Sequence, residues 1–393
     1  MRTLAHLLTL SIALVPGPCA SGSLETADEP VRLAIAGLVH GHVDGFLRAL
    51  TERRDVRLVG VFDPDVALGE KCAERFGLAR SLFFADLATM LDRAQPQAVA
   101  TFTSTRDHPM VVEACASRHV HVMMEKPLAV SLEHARTIQR AADQGGIFVV
   151  VNYETTWYPS HAALWDVIRK NHPAGDIRRM VAMDGHSGPK EIGVGPEFLG
   201  WLTDPEKNGA GALFDFGCYG ANLMTWLMDG QRPNAVTAVL QQMKREIYPR
   251  VDDEATVLVE YPKALGVIQA SWNWPFSRKD LDVYGERGYA QAIGASVLRL
   301  RLPDRQEEDV RTLPALPADE RDSISYLAAI VRGRRKPSGL SSLENNLIVT
   351  EILEAARESA RSGRTILLPQ GSAPFSTPSR DPSPLRWSGP RSR

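Results

Sequence analysis

Val31-Arg32-Leu33-Ala34-Ile35-Ala36-Gly37-Leu38-Val39-His40-Gly41-His42 is the stretch on which the fold turns. Its first six residues read as a short apolar strand, Gly37 ends it, and apolar residues then recur at helical spacing through Phe46, Leu47 and Leu50. A strand that meets a glycine turn and enters a helix is the repeating unit of a parallel sheet. It aims free helix N–H groups at whatever lies beyond the strand. The unit recurs down the chain. A strand over 56–62 ends in Asp63-Pro64, and a helix over 66–76 is closed by Gly77, the residue that best tolerates a left-handed helix end. Helices over 87–94, 109–117 and 132–144 alternate with strands over 98–102, 120–124 and 147–151. Such alternation predicts a doubly wound parallel α/β sheet over 31–151.

After Asn152 the texture changes. A helix over 161–170 precedes strands over 177–184, 235–242, 255–261 and 265–272, whose polar and apolar residues mostly alternate. That pattern belongs to an open, mainly antiparallel sheet with one face covered, hence an α+β domain over 152–341, with a helix over 218–228 inside it. The segment 342–368, a long helix and a strand, is expected to pack back on the first domain.

The ends read differently. Residues 1–22 carry Arg2, a short apolar run over 4–15, then Pro16 and small residues up to Ala20-Ser21-Gly22, the layout of a secretory signal peptide. The run is too short to span a bilayer, and Pro18 suits lipidation of Cys19 poorly. The expectation is an exported, periplasmic or secreted protein. A cytoplasmic protein with a frayed apolar start is the alternative. Residues 369–393, rich in Ser, Pro and Arg, read as a disordered tail. With a net charge of −2 there is no basic field to hold nucleic acid, and Cys72, Cys115 and Cys218 are expected reduced.

Chemistry is expected where the first strand ends. The turn matches a dinucleotide fingerprint only in part: Gly37 is in place, but Val39 stands where pyrophosphate wants Gly, and His42 where helix packing wants Gly or Ala. Asp63, 26 residues beyond Gly37, is placed to bind an adenosine ribose and to repel a 2′-phosphate, which favours NAD over NADP. His40 and His42 form an HxH pair, as do His119 and His121. With no Cys or carboxylate signature beside them, no metal is expected, and His40 and His42 are read as cofactor or substrate contacts.

Glu125-Lys126-Pro127, directly after a strand, resembles the EKP motif of the Gfo/Idh/MocA oxidoreductases, which join a Rossmann domain to an open-sheet substrate domain. The glycine turn, Asp63, the loop from Thr103-Ser104 to His108, the Asn152-Tyr153 junction and the run from Gly209 to Tyr219 fall in the family's order, over about 31–368. The resemblance implies cofactor contacts at Gly37, Val39, His40, Gly41, His42, Asp63, Thr103, Ser104, His108, Glu125, Lys126 and Asn152. It implies a catalytic Lys126 beside the nicotinamide, with Asp215 orienting substrate or coupled to the lysine. Tyr219 stands where most relatives have a catalytic histidine, and Lys126 nearby is expected to favour its phenolate. Asn222 replaces a common aspartate.

The implied partners are NAD, a small carbohydrate and further copies of the chain. Three activities remain open: a sugar oxidoreductase, a redox-neutral glycoside hydrolase that oxidises and re-reduces on tightly held NAD, and a cofactor- or sugar-binding protein without turnover. Export sharpens the choice, since a free NAD pool is lacking outside the cytoplasm.

Overall fold

The computed structural model describes residues 29–170 and 172–369. The expected signal peptide over 1–22, with Cys19, and all of the expected tail over 369–393 except its first residue lie outside the described residues.

The first domain strings together β1 (Val31–Ala36), α1 (Val43–Thr51), β2 (Val56–Phe62), α2 (Val66–Phe76), β3 (Phe83–Phe84), α3 (Leu87–Ala94), β4 (Ala98–Thr101), α4 (His108–Ala116), β5 (His121–Glu125), α5 (Leu132–Gly145) and β6 (Val149–Asn152). Its six strands lie parallel in the order β3-β2-β1-β4-β5-β6. The chain moves outward from β1 in one direction and then in the other, so a crevice opens between β1 and β4, where ligands of such sheets bind. Local chemistry sets the helix ends. Asp65 accepts from the N–H groups of Ala67 and Leu68 to start α2, and Gly77, at φ 62°, ends it.

The second domain runs through α6 (Pro159–Trp165), β7 (Ile177–Gly185), α7 (Pro196–Leu202), α8 (Pro205–Asn208), α9 (Ala212–Asp215), α10 (Gly217–Leu227), β8 (Ala235–Gln241), β9 (Glu254–Glu260), β10 (Leu265–Ser271), β11 (Arg278–Gly285), β12 (Tyr289–Ile293), β13 (Val297–Arg301), β14 (Asp309–Thr312), α11 (Ser323–Val331), α12 (Leu343–Ser362) and β15 (Ile366–Leu367). Nine strands form one sheet in the order β14-β13-β12-β11-β7-β10-β9-β8-β15. Every pairing is antiparallel except β10 with β7. β9 alternates buried and exposed residues along its length, as a half-covered sheet requires. α10 is buried almost throughout and lies against β7 and β10, where Gly220 is needed because a Cβ there would stand 2.8 Å from Ile268.

The segment 342–368 touches both domains: α12 lies on α5 and β6 of the first, and Ser342 bridges Val150 of β6. β15 pairs with β8 at the edge of the second sheet, and α12 packs on β8 and α10 as well as on α5. α11 also returns to the first domain, where its Ile324, Leu327 and Ile330 join the core formed by β1 and α1. It is apolar enough to be buried on most sides, so it lacks the one-sided periodicity that marks a surface helix.

Candidate active site

Lys126 follows β5 directly, and Asp215 ends α9. The fold brings these two residues together across the domain boundary: Lys126 Nζ donates to Asp215 Oδ1 at 2.5 Å and to the Asp215 carbonyl oxygen at 2.7 Å. Both are at most 8% exposed. The indole N–H of Trp272 donates to the second carboxylate oxygen at 2.9 Å, so the carboxylate is held from both sides. Burial pushes the Asp215 carboxyl up, but the charges of Lys126 and His186 and the hydrogen bonds from Lys126 and Trp272 together outweigh it and hold the group at about 2. Burial pulls Lys126 down, yet the charge and hydrogen bond of Asp215, with Cys218 and Glu125 adding to them, leave it above its ordinary value. The ammonium is permanent at neutral pH.

Tyr219 lies in the first turns of α10, with its ring centroid 5.1 Å from Lys126 Nζ. Lys279 of β11 stands 5.0 Å from the same ring and pairs with Glu154. The expected phenolate is not favoured here. Burial, with the charges of Glu154, Asp215 and Glu125 adding to it, raises the Tyr219 phenol well above its usual range. Both lysines address the ring face, and Lys126 gives two of its three N–H bonds to Asp215. Tyr219 is therefore held as the neutral phenol.

The β1 turn forms the other wall. Gly37 adopts φ 87°, and a Cβ there would lie 2.6 Å from Thr103 Cγ2, so only glycine fits. Asp63 ties the turn to the end of β2, accepting from the Leu38 N–H at 2.7 Å and the Asp65 N–H at 2.8 Å. No side chain caps the N-terminus of α1. A tight glycine turn, uncapped helix N–H groups and a carboxylate at the next strand end together fit a dinucleotide.

The remaining expected residues divide. Thr103 and Ser104 are buried on the loop after β4, and Ser104 Oγ donates to Asp107 at 2.6 Å. His108 is buried with Nδ1 3.1 Å from the Leu128 carbonyl, a contact that holds the loop after β5, whose Lys126-Pro127 peptide is cis. Asn222 bonds Leu340 and Asn346 inside the core. Asn152 donates to Glu125 Oε1 at 2.8 Å, while Glu125 Oε2 lies 3.1 Å from His42 Nδ1. Burial pushes the Glu125 carboxyl up and His42 draws it down, to about 2. His40 is buried against Phe198, at 4.5 Å between ring centroids, and Trp201 of the same helix donates to the Val39 carbonyl at 3.2 Å. Helix α7 thus lies over the His40 side of the turn.

Sequence reading did not find Lys279, Glu154 or His186, whose ring stands edge-on to Phe216 at 4.8 Å. They come from separate elements and share no spacing: the β11–β7 register sets Lys279 opposite Asp184, and Glu154, from the segment after β6, meets Lys279 only in the folded chain.

Comparison with known proteins concerns the family and the fold. Residues 31–153 match the model of an oxidoreductase family with an NAD-binding Rossmann fold, and residues 168–291 match the GFO/IDH/MocA C-terminal domain. A trans-1,2-dihydrobenzene-1,2-diol dehydrogenase of Sus scrofa is 25% identical over 346 residues, covering 85% of this chain and 96% of that protein. Among solved structures, an aldose-aldose oxidoreductase from Caulobacter crescentus complexed with glycerol superimposes with a TM-score of 0.73 at 20% identity, over 86% of this chain and all of the other. An inositol dehydrogenase homolog from Azotobacter vinelandii complexed with NAD+ gives a TM-score of 0.73 at 20% identity, over 87% and 98%. The two matched segments cover most of the chain, which belongs to the Gfo/Idh/MocA family of NAD-binding oxidoreductases.

Proposed function

We propose that this oxidoreductase acts on a secondary hydroxyl, or the matching ketone, of a sugar or sugar-like cyclic polyol. The observation that carries the reading is the buried Lys126 ammonium, clamped by Asp215 across the boundary and facing the Tyr219 ring. The names of similar proteins, an aldose-aldose oxidoreductase, an inositol dehydrogenase homolog and a dihydrodiol dehydrogenase, agree on a hydroxylated small molecule.

NAD, when bound, exchanges hydride with the carbon bearing that hydroxyl. The protein does the rest. Gly37, the N-terminus of α1 and Asp63 would hold the dinucleotide. Lys126 Nζ supplies a fixed positive charge to the reacting oxygen in a site of low dielectric, and Asp215 keeps it oriented. Tyr219 Oη, neutral because it is buried, gives its proton to the oxygen as a ketone is reduced. Oxidation runs the same proton path backwards, with Tyr219 Oη as the group that takes the hydroxyl proton.

The test is to assay the purified chain against aldoses, inositols and glycosides while following both reduced cofactor and released aglycone. Reduced NAD, or a second reduced sugar, in step with oxidised substrate is the expected result. Aglycone release without net reduction would replace net oxidation by the redox-neutral hydrolytic cycle. Tyr219→Phe is expected to lower kcat by about 10²-fold with NAD affinity unchanged, as loss of a proton donor requires. Unchanged kcat would remove Tyr219 from the chemistry.

A further inference from the structure

The turn after β1 holds two imidazoles where cofactor binding calls for small residues. His40 is turned inward, 2% exposed, and His42 is about half exposed. The carboxylate that the local sequence lacks arrives from 83 residues away, as Glu125 at the end of β5. One donor atom each from His40, His42 and Glu125 lies within 4.8 Å of the others.

We propose that His40, His42 and Glu125 form a site for one divalent first-row transition ion of the Zn²⁺ class. Two donors sharing such an ion at about 2.1 Å stand about 3.4 Å apart. The 3.1 Å between His42 Nδ1 and Glu125 Oε2 is therefore close to a ligand–ligand edge as well as being a hydrogen bond. Nδ1 of His40 is approached by the His42 N–H at 3.2 Å, a long contact that ligation through this nitrogen replaces. Two nitrogens and one carboxylate favour zinc, cobalt or iron over magnesium and calcium, which prefer all-oxygen shells.

The surroundings match a metal site. Glu125 Oε1 is fixed by the Asn152 amide at 2.8 Å, and Asn152 Oδ1 accepts from the Trp157 indole at 2.9 Å, a two-step support that leaves Oε2 directed at His42. Phe198 and Trp201 pack on His40 and give the site an apolar wall. Three protein ligands leave at least one position open, on the half-exposed His42 side, for an oxygen of water, cofactor or substrate.

The experiment uses the full chain, stripped with a chelator and dialysed against Zn²⁺, Co²⁺ or Mg²⁺, with bound metal counted per chain and Co²⁺ followed by its visible absorption. About one Zn²⁺ or Co²⁺ per chain is expected, with a visible Co²⁺ band and no comparable retention of Mg²⁺. His42→Ala and Glu125→Gln should each weaken binding at least tenfold. His121→Ala, in the other HxH pair, should bind as the parent does. His42 is half exposed, so its replacement tests the site without emptying the core. Absence of stoichiometric binding, equal retention of Mg²⁺, or unchanged affinity in His42→Ala would overturn the assignment. None of these readouts involves turnover, so their failure leaves the hydride-transfer reading intact.

Discussion

Glu125 and Lys126 are neighbours in the chain, yet they serve two regions built on different plans. Glu125 closes β5 and pairs inside its own domain, with His42 of the β1 turn and Asn152 of β6. Lys126 reaches across the boundary to Asp215, whose position depends on the packing of α9 and on Trp272 after β10. Each pair joins a carboxylate held at about 2 to a nitrogen partner. The difference is what each pair positions. The Glu125 cluster belongs to the sheet that cradles the dinucleotide, whereas the Lys126 pair exists only once both domains have docked. A strand end can thus supply a preformed binding group and, one residue later, a group completed by the partner domain.

Breaking the cross-domain pair should have the largest effect. Lys126→Met leaves Asp215 charged and buried without its partner, which is expected to cost about 3–5 kcal/mol in urea unfolding and to abolish turnover. Adding Asp215→Asn removes the stranded charge, so stability should largely return while turnover does not. Equal stability losses in the single and double variants would show that the pair is not coupled.

Within the nucleotide-binding region, Gly37→Ala meets both a left-handed backbone and a Cβ clash with Thr103. A loss of about 1–3 kcal/mol, with NAD affinity falling alongside, is expected from thermal unfolding and cofactor titration. Retained NAD affinity would separate the turn from the cofactor site.

A third carboxyl sharpens the contrast. Asp184 of β7 is fully buried, and neither of its oxygens has a hydrogen-bond partner among the described residues. Burial raises it well above the usual range, with Lys279 only partly opposing the shift. A carboxyl that keeps its proton longer in the folded than in the unfolded protein stabilises the fold most at low pH. That contribution is lost as pH climbs from the unfolded value toward the folded one, at up to about 1.4 kcal/mol per pH unit. Asp184→Asn should flatten this part of the stability–pH curve, whereas an unchanged slope would mean Asp184 is ionised in the folded protein.

Much of the nucleotide-binding half was legible in one dimension. β1 and β2 begin and end where the apolar runs do, and α2 stops at Gly77, because strands buried on both faces read as continuous apolar runs and caps are local chemistry. The second half was legible in outline. Strands β11 to β14 were not anticipated, since strand pairing depends on partners distant in sequence, and α11 was hidden by its lack of a polar face.

The site divides along the same line. Gly37, Asp63 and the EKP tripeptide were visible because they obey fixed offsets from strand ends. The proton state of Tyr219 was not, because it follows from burial and from Glu154, 65 residues away in sequence. The HxH pair looked incomplete for the same reason: its carboxylate comes from a strand two places across the sheet. The sequence by itself determined the parallel sheet, its glycine turn and the lysine at a strand end, all set by near-neighbour sterics and hydrophobic period. Only the tertiary structure decided which charges meet, since the strength of an ion pair depends on distance through space and on the water excluded around it.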